Sequence, residues 1–250
     1  MVTDIDELDF LEGVTSTYVT SESSQDRAIK ELAVRAFSPF LHVGQVALEM
    51  GCCDGFMTSL IAPRVASLDV VDGSPTWLER TRKRGLSNAR YFLSLFEDYA
   101  ADRRYDVVIA TYVLEHVADP QKFLAKVRDL LKPGGLLLLV VPNARALSRQ
   151  LARHMGLLPE LTSLTANDIN HGHRRVYDRV LLNRELESAG FQQVVQSGLM
   201  LKILADFQMD KLIDGDILSP THIDGLYRLG LEYPDLCGSL LSVARTTTVD

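Results

Sequence analysis

Residues 45–55 read Gln-Val-Ala-Leu-Glu-Met-Gly-Cys-Cys-Asp-Gly, an apolar run broken by one acid and followed by a turn of small residues. Val46, Ala47, Leu48 and Met50 suit a buried strand, and Gly51 and Gly55 suit the turn after it. Phe56, Leu60 and Ile61 then recur at helical spacing over residues 56–62. A strand that passes through a glycine turn into a helix start presents backbone N–H groups to a ligand. Glycine permits positive φ there and places no Cβ between backbone and ligand. The next apolar run, residues 65–72, ends in Asp72, 21 residues after Gly51 (72 − 51). At about that spacing an acid meets a ribose hydroxyl. The pattern departs from the dinucleotide fingerprint, because Glu49 precedes Gly51 by two residues and Cys53 holds the middle glycine position. An acid in this turn repels phosphate and suits a ligand that carries an amino group.

The stretch Glu49–Gly55 resembles the acid-x-Gly-x-Gly-x-Gly motif of class I S-adenosylmethionine (SAM)-dependent methyltransferases, with Cys53 replacing one glycine. Asp72 resembles their ribose-binding acid. Residues 105–143, YDVVIATYVLEHVADPQKFLAKVRDLLKPGGLLLLVVPN, are similar to the second half of the same fold. The resemblance covers residues 44–198 well and the tail in part. It implies a Rossmann-like α/β fold, a three-layer α/β/α sandwich. Its seven-stranded sheet would be mostly parallel, with an antiparallel last strand set between two parallel ones. It implies SAM as cofactor and S-adenosyl-L-homocysteine (SAH) as product. Glu49, Gly51, Cys52, Cys53, Gly55, Asp72 and Gly73 would surround the cofactor. Leu95 and Phe96, in the turn after the third strand, would meet adenine, and Thr111 would stand at the end of the fourth. A side chain at Cys53 could instead crowd the methionine portion and leave a non-catalytic SAM-binding module.

A chain of 250 residues forms one large domain or a domain with a cap, here a single domain over 1–250. The net charge of −7 counts against a nucleic-acid surface. The N-terminus MVTDIDELDF lacks a signal pattern, and the longest apolar run, Leu136–Val141, is far too short to span a bilayer. A cytoplasmic protein without membrane partners is expected. Cys52 and Cys53 are adjacent and Cys237 is distant, so neither a disulfide framework nor a cysteine metal site is indicated.

Residues 1–20 read as polar and irregular, with Tyr18 a candidate lid residue. Ser23 or Ser24 caps an amphipathic helix to about Phe40. Ser74-Pro75 and Asp119-Pro120 each mark a helix start, and Lys132-Pro133-Gly134-Gly135 ends the second of these helices. Trp77 falls in the first turn of the helix after Pro75. Residues 91–94, 105–110, 136–141, 191–196 and 239–245 read as strands. Residues 144–154 read as a helix, along which Arg145, Arg149 and Arg153 would form a solvated face. Residues 156–175 are loose, and such a segment is usually functional or mobile. Asp178 caps the next helix, which ends at Gly190. The Met- and Leu-rich residues 199–236 and the N-terminal residues 1–40 are expected as caps over an acceptor pocket.

Methyl transfer from a sulfonium needs no metal and no covalent enzyme intermediate. Holding the acceptor in line supplies much of the rate, about 7–11 kcal/mol. A base adds about 10²–10⁴-fold when the acceptor is a hydroxyl. Of six histidines, His116 follows the fourth strand, and His171 and His173 alternate in the late loop beside Arg174 and Arg175. These three are the candidate bases, and either arginine could bind an acceptor anion. His42, His154 and His222 lack supporting context. His-x-His is a possible metal pair, but no third ligand has suitable spacing and no metal is expected. A small-molecule acceptor follows, with O-methylation preferred over N-methylation. A protein or RNA methyltransferase is the alternative, although the Asn-Pro-Pro-Tyr of nucleobase amino methylation is absent at Thr111–Leu114.

Overall fold

The apolar runs become the inner strands of one sheet. The computed structural model describes residues 4–18 and 22–246. Its strands are β1 (Val46–Met50), β2 (Ser67–Asp72), β3 (Ala89–Leu93), β4 (Tyr105–Thr111), β5 (Leu131–Pro142), β6 (Phe191–Leu199) and β7 (Ser239–Thr246). They lie in the order β3-β2-β1-β4-β5-β7-β6. Neighbours from β3 to β5 pair in parallel, and β7 runs antiparallel between β5 and β6. This is the seven-stranded Rossmann-like sandwich that the sequence implies.

The helices are α1 (Asp4–Val14), α2 (Ser24–Phe37), α3 (Phe56–Ile61), α4 (Pro75–Arg82), α5 (Pro120–Leu130), α6 (Leu147–His154), α7 (Ala166–Asn170), α8 (Arg179–Ser188), α9 (Asp206–Asp214) and α10 (Pro220–Glu232). The central strands are buried on both sides, so they read as unbroken apolar runs. Alternate residues feed two cores. Val107, Ile109, Leu138 and Val140 pack on one face with Ile29, Ala33 and Phe37 of α2. Val108, Leu137 and Leu139 pack on the other with Phe123 and Val127 of α5 and Leu182 and Leu186 of α8. The capping signals act as expected. The Ser74 hydroxyl accepts from the Trp77 N–H, and the Asp119 carboxylate from those of Gln121 and Lys122.

Four local expectations need correction. Residues 4–14 are helical rather than irregular, because α1 is held by tertiary contacts. Glu12 accepts from the hydroxyls of Ser74 and Thr76, and Leu11 packs over Gly73. Residues 132–135 do not separate a helix from a strand. α5 gives way directly to β5 at Leu131, which pairs with Tyr105, and the ladder resumes at Val107 opposite Leu136. The intervening residues bulge outward, and Lys132 reaches Asp106 at 2.8 Å. The loose segment contains the short helix α7, closed by a capping box between Thr165 and Asp168. Arg149 on α6 belongs to no solvated face, since it pairs with the Asp168 carboxylate at 3.0 Å. No helix among the described residues is long and apolar enough to cross a membrane.

Candidate active site

The C-terminal ends of β1, β2 and β4, with the turns that follow them, open into a cavity of about 630 Å³. Ligands of open α/β sheets bind at this edge. Gly51, Cys52, Cys53, Asp72 and Gly73 form one part of its wall. Leu95, Phe96 and Thr111 form the adjoining part. Glu49 and Gly55 do not line it.

The turn after β1 explains the motif residue by residue. Gly51 has φ +81°, and a Cβ there would lie 2.6 Å from Val113 Cγ2. Gly55 has φ +73°, and its Cβ would meet Thr81 at 2.7 Å. Cys53 also takes the left-handed conformation, with φ +48°. Glycine is the residue that adopts this conformation without strain, and Cys53 holds it nonetheless. Both cysteine thiols are pushed up by burial, that of Cys53 to about 12, so neither is a reactive thiolate.

Asp72 ties the turn to β2. Its Oδ2 accepts the Cys52 N–H at 2.8 Å and its Oδ1 the Ser74 N–H at 2.9 Å. Burial holds this carboxyl above its ordinary range. The Cys53 N–H and the Cys52 thiol also act on this carboxyl, which lies in the cavity wall where a ribose hydroxyl could reach it. Glu49 is buried behind the turn, and neither of its oxygens has a hydrogen-bond partner among the described residues. Burial pushes it up to about 8. The residues present therefore fit SAM: a tight turn with glycines at 51 and 55, an acid at Asp72 in the wall and an apolar edge at Leu95 and Phe96.

The three candidate histidines, distant in sequence, meet on another part of the wall. The ring centroids of His116 and His173 are 4.8 Å apart, and those of His171 and His173 are 6.1 Å apart. Tyr18 packs against His116, His171 and Trp77 at 5.8, 5.2 and 6.4 Å. The loop is fixed to the turn after β4 by the Arg174 N–H, which donates to the Glu115 carbonyl at 2.8 Å.

The environments of these histidines differ. His173 Nδ1 lies 3.1 Å from Asp168 Oδ1, and Asp168 is itself held by Arg149 and Thr165. These donors, outweighing burial, keep the Asp168 carboxyl well below the usual range. A carboxylate can only accept, so Nδ1 is the donor of this contact, and in a neutral ring that makes Nε2 the acceptor. His116 is pushed down to about 3 by burial, and its Nε2 makes no hydrogen bond, standing 4.0 Å from Glu115 Oε1. His171 is also lowered by burial; its Nδ1 lies 3.5 Å from the Asn167 amide, and the Thr17 backbone acts on the ring as well.

Sequence reasoning missed several of these neighbours. Asp168 lies five residues before His173 in a segment read as loop, and only the Thr-x-x-Asp capping spacing marked it. Glu115, His116 and His173 place one ligand-type atom each within 4.8 Å of one another. Glu115 is thus a third ligand-type group that sequence spacing did not reveal. It is fully buried and pushed up to about 7. The two arginines expected to bind an acceptor anion are engaged in the fold. Arg174 pairs with Glu7 at 2.8 Å, and Arg175 donates to the carbonyls of Leu114, Val117 and Ala118.

Comparison with known proteins gives a consistent picture. The chain matches the family model described as a methyltransferase domain over residues 22–197. It is 27% identical over 202 residues to the ubiquinone biosynthesis O-methyltransferase of Idiomarina loihiensis, covering 77% of this chain and 76% of that protein. The protein of the same name from Dinoroseobacter shibae is 30% identical over 184 residues, 72% of each chain. Among solved structures, the N-methyltransferase NodS from Bradyrhizobium japonicum in complex with SAH superposes with a TM-score of 0.57 at 16% identity. That match covers 90% of this chain and 88% of NodS.

Proposed function

This chain belongs to the class I SAM-dependent methyltransferases, and on that premise we propose that it methylates a hydroxyl oxygen of a small molecule, with His173 as general base. One arrangement carries the assignment: the Asp168 carboxylate fixes His173 in the tautomer whose Nε2 can take a proton. The carboxyl beside His116, Glu115, lies 4.0 Å from its Nε2, beyond hydrogen-bond reach, and burial disfavours the charged forms of His116 and His171. The cavity of about 630 Å³ suits a cofactor with a compact acceptor rather than a polymer. The two relatives above are named O-methyltransferases, which favours oxygen over nitrogen.

SAM supplies an activated methyl group on a sulfonium. The chain's own residues then have three tasks. Asp72 and the turn at residues 51–55 hold the nucleoside and methionine ends, with Leu95 and Phe96 against adenine. His173 would accept the acceptor's hydroxyl proton through Nε2, and Asp168 would stabilise the resulting imidazolium; the bound sulfonium would supply the methyl group and leave as SAH. α1, α2 and residues 199–236 cap the cavity and exclude water.

The test begins with a labelled-methyl screen against metabolite pools and continues with the acceptor found. His173→Ala is expected to lower turnover by about 10²-fold or more. SAH affinity, measured by calorimetry, should stay unchanged. Asp168→Asn should lower turnover in the same direction, and His171→Ala should have little effect. Near-normal turnover in both histidine variants would remove the loop base and make an amine acceptor, or His116 as base, the better assignment.

A further inference from the structure

With Arg174 and Arg175 engaged in the fold, the cations left in the cavity wall can be compared by partner. Arg149 is fixed by Asp168, Lys30 lies 2.8 Å from Asp26, and Lys122, 3.8 Å from Asp119, is exposed to water. Lys202, between β6 and α9, differs. Its side chain is only 8% exposed, yet its partner Asp206, the first residue of α9, is 52% exposed. The other carboxylate acting on it, Asp210, already accepts from Ser23 and Gln25, so this ammonium, taken out of water, is poorly compensated. Burial accordingly pushes Lys202 down to about 8.

The backbone is shaped to put the side chain there. Met200, fully buried, has φ +48°, and its carbonyl accepts the Gly238 N–H at 3.1 Å. Gly238 leaves a flat bed for the lysine stem, since a Cβ there would lie 2.7 Å from Lys202 Cε. The next residue, Ser239, shares a 2.8 Å hydrogen bond with the Tyr112 hydroxyl. Tyr112 is also left-handed, with φ +56°. Of the four left-handed non-glycine residues among those described, Cys53 and Tyr112 line the cavity and Met200 lies two residues before Lys202, which also lines it. Strain retained in this way clusters at ligand sites.

We infer that Lys202 binds an anionic group of the acceptor, a carboxylate or a phosphate monoester, in the lobe bounded by Gly238, Ser239 and Tyr112. The inference rests on the small-molecule methyl transfer proposed above and names the chemistry of its acceptor. An incoming anion gives the ammonium a charge-assisted hydrogen bond in a low-dielectric lobe and releases Asp206 to solvent.

The experiment titrates SAH-loaded protein by calorimetry with hydroxybenzoates, hydroxyalkanoates and phosphate monoesters, each paired with its amide or parent alcohol. At least one anion is expected to bind about tenfold or more tightly than its neutral partner. The carboxylate and phosphate arms tell the two sources apart. Lys202→Met should erase the preference, Lys202→Arg should keep part of it, and Asp206→Asn should strengthen it several-fold. The absence of anion preference in every pair, or a preference that survives Lys202→Met, overturns the inference. Failure of the wild type to bind SAH would strike the methyl-transfer assignment instead. Normal SAH binding without anion preference would strike Lys202 alone.

Discussion

Glu49 makes the stability of this chain sensitive to alkali. Its carboxyl is about 8 when folded, against an ordinary value near 4.5, because burial disfavours the charged form. Below the ordinary value it is neutral in both states. Between the two values the unfolded chain ionises while the folded one keeps its proton. Stability is therefore lost as pH rises through this window and levels off above about 8. Glu49→Gln keeps the shape and removes the ionisation. Without cofactor, its Tm should exceed that of the wild type by roughly 5–10 °C at alkaline pH. The gap should close towards pH 4.5, and thermal melts at both ends check this; a gap independent of pH would refute it. Cys53 shows how far single residues were legible. The motif asks for glycine there, and the left-handed backbone supplies the reason, but only the structure shows that a cysteine keeps the same turn.

Strands were the most legible elements, because burial on both faces writes an unbroken apolar run into the sequence. The helices after Ser74 and Asp119 were legible from their caps. α1 was not, because Glu12, Leu11 and Phe10 find their partners in Ser74, Gly73 and Arg174, distant positions that no local pattern records. The same holds for Arg149, whose spacing suggests a surface stripe and whose partner comes from α7. α9 and α10 lie within the Met- and Leu-rich residues 199–236. α9 packs on α2, with Asp210 accepting from the N–H of Gln25 and the hydroxyl of Ser23. Such a two-helix attachment has less buried surface than the sheet. Amides of residues 206–232 are expected to exchange hydrogen faster than those of Leu136–Val141, and to slow when SAH binds. Equal protection in both segments, unmoved by SAH, would argue that the pair is part of the rigid frame.

Across the whole molecule, the cavity wall at residues 51–53 was readable because it is one contiguous turn. Elsewhere in the wall His116, His171 and His173 were readable by residue type, but their neighbours were not, because that part is assembled from the ends of β4, β6 and β7, the loop after α7 and the N-terminal helices. Lys202, Ser239 and Asp168 are ordinary residues in sequence and share one cavity wall only in the folded chain. The elements around the cavity also converge on Trp77, the chain's single tryptophan. Its indole is 7% exposed, with Tyr18 at 6.4 Å and the Arg80 guanidinium 4.8 Å from the ring. Emission from a lone indole is free of overlap from others, and it responds to polarity and to nearby quenchers. Titration with SAH is therefore expected to change the intensity saturably, and Tyr18→Ala should alter the amplitude of the change more than its midpoint. The protein carries a built-in fluorophore in the cavity wall beside Tyr18, so the arrival of a ligand in the cavity can be timed by stopped flow without any label.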